Sequence, residues 1–214
     1  IVRRLDRTRH AFDFCVLSGE PGVYAPEIRR LGGTVVPCAL RPATASFAAR
    51  FVGLVRAGHY DVVHSHVHHF SGPILALARL AGVPARLSHI RVTNDGRAST
   101  APRRAYRALM RALIDRHATA VIGVSEGAMD AFWGPRWRTD TRMVVIYNGV
   151  EPARFAAPAV PASVREEFAV PAGAALAVHV ARFDPEKNHA GLLRILSALV
   201  ALRRDVVLLL VGDG

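Results

Sequence analysis

The chain alternates, with few interruptions, between short runs of Val, Ile and Leu and longer segments of helical periodicity. Residues 12–17, 34–39, 61–65, 85–89, 120–124, 143–147, 175–180 and 206–211 read as strands. Helices are expected over 24–31, 47–57, 72–81 and 189–203, with a further one ending at His117, and the glycines at 32, 58 and 82 stop three of them. A strand buried on one face alternates apolar and polar side chains; these runs are mainly apolar, and some, such as 120–124 and 206–211, are apolar throughout. That pattern belongs to parallel strands covered by helices on both faces. The expected fold class is therefore α/β, a doubly wound parallel sheet.

The segment 152–161 breaks the rhythm, being rich in Ala and Pro and without a period. The expected organisation is a first Rossmann-like domain over 1–151 that lacks its first strand. A linker over 152–163 and the start of a second, incomplete domain over 164–214 follow. In the last helix Leu192, Leu193, Leu196, Leu199 and Val200 form the expected inner side. Cys15 and Cys38 both fall in strand-like runs, which suits buried thiols in a reducing compartment.

Of 28 basic residues only Lys187 is a lysine. A chain this biased toward arginine swaps Lys for Arg freely on a solvated surface. It does not do so where a compact ammonium must enter a tight site. Lys187 and Arg182 lie in a turn between an apolar strand and a helix N-terminus, an arrangement that suits a diphosphate. A lone surface lysine is the plainer alternative.

The net charge of +11 raises nucleic acid as a partner. The arginines are spread along the chain without basic runs or interleaved aromatics, so no nucleic acid is expected. Arg103, Arg104, Arg107 and Arg111 are the exception. They recur at helical spacing against Tyr106, Met110 and Ile114, and form either a face for anionic lipid or phosphate or an ordinary solvated face. The expected location is cytoplasmic, peripheral on the inner face of a membrane.

Ligands of open parallel sheets sit beyond the carboxyl ends of strands. After residues 61–63 come His64, His66, His68 and His69, which fit polar packing, an acceptor-side surface, or a metal. A zinc site needs a convergent set, and no Cys or acidic residue is adjacent. His89 ends the next strand and serves either to orient a hydroxyl or as a backbone-bonded structural group. Ser125 reads as a helix cap, and Asn148-Gly149 as a sharp turn. Dinucleotide and P-loop fingerprints are missing.

Four motifs now stand in order: Asp61-Val-Val-His-Ser-His66, Val145-Ile-Tyr-Asn-Gly-Val-Glu-Pro-Ala-Arg-Phe155, Val180-Ala-Arg-Phe-Asp-Pro-Glu-Lys-Asn-His189 and Leu208-Leu-Leu-Val-Gly-Asp-Gly214. Together they resemble retaining glycosyltransferases of family 4, and most closely the bacterial enzymes of exopolysaccharide and capsule assembly. The resemblance implies a GT-B architecture of two Rossmann-like domains and a nucleotide-sugar donor, UDP- or GDP-linked. It also implies a saccharide or lipid-linked acceptor, no cofactor and no metal. Arg182 and Lys187 fall at the diphosphate-binding positions, His89 at a catalytic histidine near the transferred sugar, and His64 and His66 on the acceptor side. Ala181 stands where the family has glycine, and Arg91 where close relatives carry a second histidine. The resemblance also implies a fragment, inactive alone, without the glycine-rich N-terminal loop and C-terminal glutamate pair. A non-catalytic module that holds a nucleotide sugar or a partner is the alternative.

Overall fold

The computed structural model describes residues 2–40, 44–93, 96–156 and 161–213. The chain divides into two compact units, Ile1–Gly149 and Val150–Gly214.

In the first unit β1 (Asp13–Val16) pairs in parallel with β2 (Thr34–Pro37). A second parallel sheet contains β3 (Val62–Ser65), β4 (Ala85–Ile90), β5 (Ala120–Gly123) and β6 (Met143–Val145), in that order. The expected parallel α/β fold is present, but its strands fall into separate hydrogen-bonded ladders instead of one sheet. Strand patterns report burial; they do not report which edges pair.

The two ladders of this unit share a core. Phe47, Phe51 and Val55 of α2 (Thr44–Ala57) pack with Ile74 and Ala78 of α3 (Ser71–Leu80), and Cys38 and Val83 join them. A second cluster places Leu75, Ile114, Val121, Met129, Phe132 and Met143 together, and ties α3 to α4 (Ala101–His117) and α5 (Glu126–Trp133). Short α1 (Ala25–Arg30) precedes β2. Gly82 ends α3 at φ 95°, a left-handed conformation that favours glycine. Ser125 caps α5 by accepting a bond from the Ala128 amide at 3.1 Å, as its position suggests.

Three expectations need correction. Gly149 has no positive φ and the chain does not turn at Asn148; it runs on from β6, with the Ile146 amide still bonded to the Gly123 carbonyl. Cys38 is buried but Cys15 is exposed. The segment read as a linker holds a 3-10 turn, Pro152–Phe155, and the start of α6 (Pro161–Glu167), while its residues 157–160 lie outside the described residues. Proline in the first helical turn needs no amide partner, so an Ala/Pro stretch conceals a helix start.

The second unit pairs β7 (Ala175–Val180) in parallel with β8 (Val206–Val211), with α7 (His189–Leu202) between them. The expected inner side of α7 is only half covered. Leu192 and Leu196 are partly buried, whereas Leu193, Leu199 and Val200 are exposed. A ladder of two strands is too narrow to cover a wider stripe.

Candidate functional site: strand ends in each unit

The turn after β7 is held by the tail of β8. Ala181 donates its amide to the Val211 carbonyl at 2.9 Å, and Phe183 donates to Asp213 at 2.8 Å. The two backbones approach so closely at Gly212 that an added Cβ would lie 1.9 Å from the Ala181 carbonyl oxygen. Asp184 caps the short 3-10 turn Pro185–Lys187 through the Glu186 amide, at 3.1 Å. Asn188 takes the left-handed conformation, φ 51°, and caps α7 through the Gly191 amide at 3.2 Å. Asparagine tolerates that conformation better than most residues. Phe183 stacks on His189 with 4.7 Å between ring centroids, which braces the strand end against the helix start.

Arg182 and Lys187 are both exposed in this braced turn. The Arg182 guanidinium lies 3.4 Å from the Asp184 carboxylate. An exposed pair of that length contributes about 0–1 kcal/mol. A charge-assisted contact to a diphosphate contributes about 1.5–3 kcal/mol, so an anionic ligand wins the guanidinium. The amides of Glu186, Lys187 and Gly191 are already bonded within the turn. With those amides engaged, the donors the turn leaves exposed are the two side chains, set beside the N-terminal end of the α7 dipole.

In the first unit the parallel pairing of β3 with β4 matches His64 to Leu87 and Ser65 to Ser88. One step further the register sets His66 beside His89, so alternation gives all three histidines one face. Ring centroids lie 4.2 Å apart for His64–His66, 5.2 Å for His64–His89 and 4.9 Å for His66–His89. His64 and His66 keep exposed edges, but partial desolvation where the three rings crowd together is the main cause holding each imidazole below its usual pKa, His66 at about 4. The like charges of His64, His89 and Arg91 act on His66 in the same direction. All three rings are neutral at pH 7, with lone pairs available for a proton or an ion.

The histidine run does not stay together. His68 adopts φ 51°, and beyond it His68 and His69 pack on Phe132 at 5.0 and 4.6 Å. They line a cavity of about 270 Å3 with Thr93, Arg104, Arg107, Arg111, Ala131 and Phe132. The arginines of α4 thus face a pocket as well as solvent, a role that helical spacing alone does not reveal. Each is also anchored: Arg104 bonds the Ser99 carbonyl at 3.0 Å, Arg107 that of Arg97 at 2.8 Å, and Arg111 that of Phe132 at 3.0 Å. Arg103 lies over the Tyr106 ring at 4.6 Å. Part of the loop before α4, residues 94–95, lies outside the described residues.

A parallel α/β fold with ligand-ready side chains at its strand ends narrows the class, and comparison with known proteins supplies the family. Residues 1–149 match the glycosyl transferase 4-like domain, and the chain belongs to that family. It is 31% identical over 219 residues to a Bacillus subtilis protein named as glycosyltransferase EpsF, and spans 57% of that protein's length. It is 30% identical over 115 residues to CapH of Staphylococcus aureus, a glycosyltransferase of capsular polysaccharide biosynthesis; that match takes in 53% of the chain and 32% of CapH. The crystal structure of Anabaena HepE with UDP and glucose superposes with a TM-score of 0.70 at 19% identity, over 94% of this chain and 61% of that one. A Rickettsia africae glycosyltransferase superposes at 0.61 with 12% identity, over 96% and 61% of the two chains. The fold is that of GT-B glycosyltransferases. No helix among the described residues is long and apolar enough to cross a membrane.

Proposed function

We propose that the chain is part of a retaining glycosyltransferase that moves a hexosyl unit from a UDP- or GDP-sugar to a saccharide or lipid-linked acceptor, in polysaccharide assembly. The observation that carries this reading is the braced turn after β7. It presents Arg182 and Lys187 at the start of a helix while its own amides are occupied. A leaving nucleoside diphosphate gains negative charge as the glycosidic bond breaks, and fixed cations stabilise that charge. HepE structures hold UDP and UDP-glucose, which supports the donor class. The name of CapH supports the process. The second unit is proposed as the start of the donor-binding domain. Val178, Val180, Ile195 and Leu202, all exposed there, support a reading in which further structure covers them.

His89 is proposed to lie at the transferred sugar, with His64 and His66 on the acceptor side. A neutral imidazole orients or accepts a proton from an incoming hydroxyl. The test is a transfer assay in which a panel of labelled UDP- and GDP-hexoses is offered with soluble oligosaccharide and with membrane lipid extract. Product with the donor's anomeric configuration is expected; donor binding without product favours a non-catalytic binding module.

Transfer is expected to proceed undiminished in excess EDTA, because the two cations take the place of a metal at the diphosphate. Loss of activity that manganese or magnesium restores contradicts this. The α4 pocket suits the phosphate of a lipid-linked acceptor, and its rim suits an anionic membrane, where each exposed arginine contributes about 1 kcal/mol. Replacing Arg103, Arg104, Arg107 and Arg111 by glutamine is expected to release the protein from vesicles rich in anionic lipid, and 1 M salt to do the same. Equal vesicle binding by wild type and variant restricts the helix to a soluble acceptor.

A further inference from the structure

The triad of histidines at the ends of β3 and β4 has a chemistry that diphosphate chemistry does not use. Their ligand atoms all lie within 4.8 Å of one another. Zinc bound by imidazoles at about 2.0–2.1 Å in tetrahedral geometry holds its nitrogens about 3.3 Å apart. His64 and His89 stack with 6° between their planes, so convergence on one ion requires the side chains to turn and aim their in-plane lone pairs at a common point. Both ring nitrogens of His89 are shielded from solvent and have no hydrogen-bond partner among the described residues. An orphaned buried polar group carries a desolvation cost, and coordination by an ion removes it. His64 and His66 are exposed on the outer side of the cluster, which leaves a fourth position open to water or a small anion.

We propose that His64, His66 and His89 form a binding site for a zinc-class divalent cation, with three imidazole ligands and one open position. The ligand set decides the metal. Imidazole suits zinc, copper, nickel and cobalt, whereas magnesium and manganese prefer carboxylate and water oxygens. Among the described residues no carboxylate belongs to the cluster, and Arg91 adjoins it as a like charge to any cation. Only an ion with strong nitrogen affinity overcomes that repulsion, so the site discriminates against magnesium.

Occupancy has a consequence that rests on the transferase reading. An ion coordinated by His89 takes the lone pair that the transferred sugar's acceptor would use, so zinc inhibits transfer and a chelator relieves it. Binding itself does not depend on that reading, and it is read directly.

The metal-stripped chain is titrated with cobalt(II), and the visible absorption of the tetrahedral ion is followed. One equivalent per chain is expected, displaced by zinc and unaffected by millimolar magnesium. His64→Ala, His66→Ala and His89→Ala should each weaken cobalt at least tenfold, while the exposed His10→Gln leaves it unchanged. A second readout needs no variant: one equivalent of zinc should protect two exposed histidines of the wild-type chain, His64 and His66, from diethyl pyrocarbonate. No cobalt band, a band that survives the triple alanine variant, or no protected histidine each overturns the site. A bound ion without inhibition of transfer keeps the site and overturns the role given to His89.

Discussion

In the full-length glycosyltransferase of which the chain is proposed to be part, Lys187→Ala is expected to lower turnover ten- to a hundredfold while the protein stays folded. The ammonium is exposed on a short capped turn, so its removal leaves no cavity and takes no packing from a core. What it removes is a charge-assisted contact of about 1.5–3 kcal/mol, which corresponds to roughly one to two powers of ten in rate. The turn has few other donors to offer, because the amides of Glu186, Lys187 and Gly191 are already bonded. Lys187→Arg is expected to be poor as well. A guanidinium is broad and planar, and the single lysine stands where every other basic residue of the chain is arginine. Steady-state turnover with circular dichroism of both variants checks this; full activity in Lys187→Ala removes the residue from the site.

Gly212→Ala is expected to destabilise the second unit by about 1–3 kcal/mol, the usual cost of forcing an extra methyl into packed structure. The obstacle is backbone, since the new Cβ would meet the Ala181 carbonyl oxygen at 1.9 Å. Relief requires the tail of β8 to move off β7, which breaks the bonds from Ala181 to Val211 and from Phe183 to Asp213. Those bonds aim Arg182, so the variant should lose donor binding as well as stability. A chemical denaturation series and a binding titration separate the two effects. An unchanged unfolding midpoint contradicts the close approach.

The parallel α/β class was legible because short apolar runs alternate with helical segments, the pattern of strands covered by helices, although β7 leaves Val178 and Val180 exposed. Ladder membership was not, since residues 12–17 and 34–39 look no different from residues 61–65 as strands. The turn after β7 was singled out by one substitution bias, the retention of Lys187, and its donor role is the proposal made above. What holds that turn was not legible: Gly212 reads as an ordinary loop glycine until Ala181 is seen against it. The triad was half legible. His64 and His66 alternate on one strand, but His89 joins them only through the register Ser65–Ser88, a pairing that sequence spacing does not encode. Judging the histidine run by its immediate neighbours therefore missed its third imidazole. The same run misled in the other direction, because the bend at His68 sends His68 and His69 to the α4 pocket.

The central claim is that the turn after β7 binds a nucleoside diphosphate through Arg182 and Lys187. Calorimetric titration of UDP and of GDP into the wild-type chain and into the variants Arg182→Ala and Lys187→Ala tests it most directly. One of the two nucleotides is expected to bind the wild type with one-to-one stoichiometry, and each variant to bind it at least tenfold more weakly. Equal affinity in wild type and both variants, or no binding of either nucleotide to the wild-type chain, would contradict it.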